Sequence, residues 1–243
     1  MKIRTLIVGY VLALALFLFA QRHPNSSSPT EFRAVIDLTH PVDLHALSYE
    51  PAGKSLSSPQ LFGTRIDAPA HFARGLWTVD QIPTERLIAP LVVLDVTAHT
   101  ANRPDYQISV DDIARWEQAH SQIPLGSVIM ARTGWDSRWN SIKDYRNADR
   151  SGVLHFPGYS QDAAKFLVEG RNALGLGIDT SSVDYGPSKD FPVREYTLAH
   201  SVYQLENVAN LDRAPATGGM VVVAPTKLES GSDGPVRILA LVR

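Results

Sequence analysis

The chain has 243 residues, 44% of them hydrophobic and 20% charged, enough apolar side chain for one large buried core. It contains no cysteine, which excludes a disulfide scaffold, a thiol nucleophile, Cys-ligated zinc and iron–sulfur clusters. A formal net charge of −2 leaves no basic field to attract nucleic acid.

The first twenty residues stand apart. Lys2 and Arg4 precede an uncharged apolar run over residues 6–20, which Gln21, Arg22 and His23 end abruptly. A positive start followed by about fifteen apolar residues is the pattern of a secretory leader, shorter than a usual membrane span. Residues 1–20 are therefore expected to be a signal peptide or, if uncut, a signal anchor. Export to the periplasm or the medium follows, with the membrane touched only through this segment. Residues 21–30, which include PNSSSPT, read as a flexible tether, and the folded domain is expected over 31–243.

Within the domain, short β-branched runs at 34–38, 91–97, 127–131, 174–179, 220–224 and 236–242 suit buried strands. Ser109 and Asp112 form a capping box ahead of a helix whose Ile113, Trp116 and Ala119 share one face. Ser160 caps a second helix, with Ala163, Phe166 and Leu167 as its apolar stripe and Gly170 as its stop. Strands outnumber helices, and no linker or repeat interrupts them. The prediction is α/β: a single domain with a mixed β-sheet core and flanking helices.

The densest chemical signal is GTRIDAPAHF, residues 63–72. Asp67 and His71 lie four apart, and Pro69 stiffens the chain between them. A carboxylate and an imidazole so placed can bind a metal or share proton transfer, or can simply form an Asx-type turn with a hydrogen-bonded histidine. Other chemistries lack their motifs. No G-x-S-x-G elbow or phosphate-binding loop exists, Gly175-Leu176-Gly177 lacks the third glycine of a dinucleotide fingerprint, and Gly231-Ser232-Asp233-Gly234 reads as a turn.

GTRIDAPAHF resembles the signature of the cyclase family, metal-dependent hydrolases that include kynurenine formamidases and isatin hydrolases. Further motifs follow in the family's order: Asp37-Leu38-Thr39-His40-Pro41, Arg132-Thr133-Gly134-Trp135, His155-Phe156-Pro157-Gly158, Gly177-Ile178-Asp179, Glu206-Asn207-Val208 and Gly234-Pro235-Val236-Arg237. The resemblance spans roughly residues 34–242. It implies a swivelling β/β/α-like architecture, association into a homodimer or larger, and hydrolysis of a small amide by metal-activated water. The substrate would be an aryl formamide such as N-formylkynurenine, or a cyclic amide. Carried over by position, Asp67 is a ligand of zinc or manganese, His71 the proton-transfer group and Glu206 a catalytic partner.

Three positions depart from the pattern: Leu61, Arg65 and Arg194 stand where the family has histidines. Leucine has no lone pair to offer, and arginine stays protonated and repels a cation. The ligand set is thus incomplete. The alternative reading is a catalytically degenerate member that binds a small carboxylate through Arg65 and Arg194 without metal, or simply pairs these arginines with Asp67 and Glu206. His155 is expected at the rim of the site, touching substrate. His40 and His200 read as structural, His45 as half-buried packing, and His23, His99 and His120 as solvated.

Overall fold

The structure, a computed structural model, describes residues 32–42 and 63–243. The segments expected to be leader and tether, His45 and Leu61 lie outside the described residues. The described residues from Arg33 to Arg243 belong to one compact unit, and no helix among them is long and apolar enough to cross a membrane.

The frame is a mixed sheet that closes on itself. Its strands are β1 (Ala34–Asp37), β2 (Arg65–Asp67), β3 (Ile88–Asp95), β5 (Val128–Arg132), β7 (Gly175–Ile178), β8 (Tyr203–Glu206), β9 (Gly219–Pro225) and β10 (Asp233–Val242). Two short strands, β4 (Gln107–Ile108) and β6 (Gly158–Tyr159), form a separate parallel pair. In the large sheet the order is β1-β10-β2-β8-β7-β5-β3-β9, and β9 pairs back onto β10. The long β10 makes the closure: one edge pairs with β2 near its start and β1 near its end, while the other pairs with β9. β3, β5, β7 and β8 run parallel, and the remaining pairings are antiparallel.

Strand alternation divides the core in two. Leu91, Val93, Val128 and Met130 join one cluster with Ile66, Leu205, Val221 and Ile238. Their neighbours Val92, Leu94, Ile129 and Ala131 face the helices, packing with Ile113, Trp116, Ala163 and Leu167. The Val110–His120 helix starts with the predicted capping box, Ser109 to Asp112. The second helix runs over Gln161–Lys165 from a Ser160 cap and then widens into a π turn over Phe166–Gly170.

All six predicted runs overlap strands. β2 and β8 were not expected, because Arg-Ile-Asp and Tyr-Gln-Leu-Glu mix charge into the strand period. The turn expected over 231–234 is corrected by the structure: β10 already begins at Asp233. A helix over Pro192–Ala199 was also not anticipated.

The sequence motifs meet in space. Asp179, just past β7 and 1% exposed, accepts hydrogen bonds from the backbone N–H groups of Thr133, Gly134 and Trp135 and from the Thr133 hydroxyl. Burial nevertheless pushes its carboxyl up to about 6. Asn207, the residue after β8, donates through Nδ2 to Gly63 O at 3.0 Å and accepts at its carbonyl from the Thr64 hydroxyl at 2.6 Å. The segment leading into β2 is thereby fastened to the end of β8.

Candidate active site

Arg65 and Asp67 are the two ends of β2 and share a face, being two residues apart. The register sets Arg65 opposite Glu206 on β8 and Asp67 opposite Asp233 on β10. A 3-10 turn, Pro69–His71, follows at once; Pro69 suits its first position, where no N–H partner is needed. The turn brings His71 back toward the end of the strand. Arg194 arrives from the Pro192–Ala199 helix, whose first amides, Val193 N and Arg194 N, both donate at 2.9 Å to the Asp184 carboxylate. That carboxylate caps the helix from outside it.

Six titratable groups therefore converge. Arg65 Nη2 lies 3.1 Å from Asp67 Oδ1 and 3.0 Å from Asp233 Oδ1, and Arg65 Nε lies 3.9 Å from Glu206 Oε2. Arg194 Nη2 donates to Glu206 Oε1 and to the Ser182 hydroxyl, and lies 3.7 Å from Asp67 Oδ2. His71 Nδ1 is 3.2 Å from both Asp233 Oδ2 and Ser232 Oγ, and Nε2 is 4.0 Å from Asp67 Oδ2. Asp67 and Glu206 are 1% and 2% exposed, whereas the Arg65 and His71 side chains retain 28% and 25%. Asp67 Oδ2 and both arginine Nε atoms are buried without a hydrogen-bond partner among the described residues.

The charges tune one another. Burial works against the guanidinium charges of Arg65 and Arg194, but the facing carboxylates outweigh it and hold both above the ordinary arginine value. Burial pushes the Glu206 carboxyl up, against the pull of Arg194. The hydrogen bond to Asp233 raises His71, more than burial lowers it. Asp233 feels burial pushing upward, but the bond to His71 and the Arg65 charge bring it below the usual carboxylate range.

These two shifts give a stability signature. His71, raised from 6.5, contributes stability that is complete below that pH and is lost as pH climbs through its folded value. Asp233, lowered from 3.8, contributes above that pH and loses its contribution as pH falls through its folded value. Asp233→Asn is therefore expected to cost about 2 kcal/mol near pH 5.5 in denaturant titrations. At pH 9, with His71 neutral, the loss should shrink to the share due to Arg65 and an uncharged Nδ1–H hydrogen bond, and an identical loss at both pH values would contradict the pairing.

The family resemblance implies zinc or manganese here, and the residues present do not fit one. Arg65 Nη2 already occupies the Oδ1 atoms of Asp67 and Asp233, and Arg194 occupies Glu206. Two guanidinium groups stand among the acids where lone pairs would have to converge. No group of three or more His, Asp or Glu among the described residues is disposed to hold a metal ion.

Of the residues singled out in the sequence, the structure brings together Arg65, Asp67, His71, Arg194 and Glu206. It does not bring His155 to them: Nδ1 lies 2.8 Å from Asp105 Oδ2 and Nε2 3.6 Å from Asp149 Oδ2, so two surface acids hold this ring elsewhere. His40 stacks on Trp139 at 3.8 Å with Nε2 2.6 Å from Asp136 Oδ1. Sequence reasoning missed Asp233 and Ser232. Their only signal was an acid and a hydroxyl directly ahead of the Gly234-Pro235-Val236-Arg237 motif.

A closed mixed barrel carrying a buried acid–base cluster at adjoining strand ends has the layout of a site for acid–base chemistry. Comparison with known proteins makes the class specific. Residues 36–185 match the family model described as "Putative cyclase". Isatin hydrolase of Roseibium aggregatum is 35% identical over 188 residues, covering 74% of this chain and 71% of the relative. Kynurenine formamidase of Bacillus anthracis is 25% identical over 175 residues, covering 72% and 73%. The solved isatin hydrolase A from Ralstonia solanacearum superposes with a TM-score of 0.76 at 31% identity, over 86% of this chain and 92% of that one. The chain belongs to the cyclase family.

Proposed function

We propose that the protein hydrolyses the C–N bond of a small amide, either a cyclic amide or an aryl formamide, at the cluster built on Arg65, Asp67, His71, Arg194, Glu206 and Asp233. The relatives named for isatin and for formylkynurenine chemistry support the substrate class. The observation that carries the reading is the His71–Asp233 pair facing an unpartnered, buried oxygen of Asp67. Asp233 and Ser232 engage Nδ1, which leaves Nε2 as the working nitrogen. A water held on Nε2, which the partly exposed His71 ring can reach, would lie beside the Asp67 carboxylate, whose Oδ2 is 4.0 Å from that nitrogen.

In this reading His71 Nε2 takes a proton from that water as its oxygen attacks the carbonyl carbon. The oxyanion that forms is met by guanidinium N–H groups of Arg65 and Arg194, which stay charged throughout. The C–N bond then breaks as His71 returns the proton to the leaving nitrogen, giving a carboxylic acid and an amine. Incubating purified protein with isatin and with N-formylkynurenine, with and without a strong chelator, tests the proposal. Chelator-resistant opening of the ring or release of formate is the expected result; no turnover of either amide overturns it.

A second reading is favoured by the unpartnered Nε atoms of Arg65 and Arg194: a non-catalytic protein that binds a small carboxylate. The charge balance weighs against it, because three carboxylates already face two guanidinium groups and one imidazole. Calorimetric binding of benzoate without turnover of any amide would favour this reading.

A further inference from the structure

The register of the barrel places two buried carboxylates face to face. Asp67 and Asp233 are Cα partners across β2 and β10, at 1% and 7% exposure. Like charges directly opposite each other on neighbouring strands repel, and the more so away from water. Arg65 sends a single nitrogen, Nη2, to both Oδ1 atoms, at 3.1 and 3.0 Å, while its Nε lies 3.9 Å from Glu206 Oε2 across the other edge of β2. One side chain thus reaches carboxylates on three adjacent strands, β10, β2 and β8.

We infer that Arg65 is a resident cation, holding these three strands together as a bound divalent ion would, and that the site is complete without a metal. The rest of the cluster agrees. Arg194, from the helix side, adds a second fixed positive charge on Glu206 and Asp67, and His71 faces Asp67 and Asp233 from the turn after β2. Three acids are matched by two guanidinium groups and an imidazole. A divalent ion entering this volume would meet two charges that cannot be titrated away, at carboxylate oxygens already taken. The inference stands apart from the proposed hydrolysis, because occupancy and stability are read without any substrate.

The test compares metal content and melting temperature in the full chain and in two variants. After dialysis against zinc or manganese, wild-type protein should retain less than about a tenth of an equivalent. Neither ion nor chelator should move its Tm, since a ligand that binds only the folded state would raise it. Arg65→Met leaves the facing acids without their cation, and its Tm should fall by about 10 °C. Zinc or manganese at millimolar concentration should restore most of that loss by taking the vacated place. Arg65→Lys, which keeps one charge but not the planar fork, should melt between the two and still ignore metal. If Arg65→Met does not fold in chelator, refolding with and without metal reads the same comparison. A full equivalent of metal in the wild type, a wild-type Tm in Arg65→Met, or no rescue of Arg65→Met by either ion would each overturn the inference.

Discussion

Alanine at position 158 is expected to lower stability by about 3 kcal/mol and to dislodge Arg194, although Gly158 lies outside the charged cluster. A Cβ there would sit 2.2 Å from Tyr185 N and 2.3 Å from the Asp184 carbonyl carbon. Both are backbone atoms and cannot swing aside as a side-chain tip could. Gly158 itself cannot retreat easily, because its N–H donates to Tyr106 O at 3.1 Å and it pairs with Gln107 in the short sheet. The displacement therefore falls on Asp184. That residue's carboxylate holds the first amides of the Pro192–Ala199 helix, including the Arg194 N–H itself. Moving it loosens the helix start and draws the Arg194 guanidinium away from Glu206 and Asp67. Denaturant titration measures the loss, and a crystal structure of the variant should show the Arg194–Glu206 contact broken. Gly170→Ala is the control: its Cβ would meet only the Phe166 ring at 3.8 Å, so stability should change by less than about 0.5 kcal/mol.

The same contacts explain which parts of the molecule could be read from the chain. Strands such as Val128–Arg132 announce themselves, because both faces are buried and the run is apolar from Val128 to Ala131. The Val110–His120 helix does too, since its cap, Ser109 with Asp112, is local in sequence. The Pro192–Ala199 helix has no such signal. Its capping carboxylate is Asp184, eight residues before the helix begins, and Phe191 enters it in a left-handed conformation at φ 47°. β2 is three residues long with charge at both ends, a pattern that propensity assigns to a loop. Its strand character comes from being clasped between β10 and β8.

The site divides in the same way. Asp67, His71 and Glu206 could be found because their types and order resemble a family signature, and Arg65 and Arg194 because they break it. Asp233 could not, since its role depends on a β10–β2 register that sets it 166 residues along the chain from Asp67 yet directly opposite it. His155 is a different case. It sits in a motif that resembles the family's, and the charged groups it contacts in the structure are Asp105 and Asp149.

The substitution expected to weigh most on turnover is His71→Gln, which should reduce kcat/KM by roughly 10²–10⁴-fold while leaving the fold intact. Glutamine fills nearly the same volume and can still hydrogen-bond Ser232 and Asp233, so the turn over Pro69–His71 keeps its anchor. It cannot take a proton from water at Nε2. The wild-type pH profile carries a second signature. His71 acts as base only when neutral, and the Asp233 bond raises its pKa from 6.5, so the rate should rise with pH along a limb lying above that value. Asp233→Asn removes the bond that supports the imidazolium, and its limb should move to lower pH even as its maximal rate falls through poorer orientation of the ring. A merely structural role for His71 would lower stability and rate together and leave the position of the limb where it was. If His71→Gln retains most of the wild-type rate, another group is the base and the dyad facing Asp67 is a strut of the barrel.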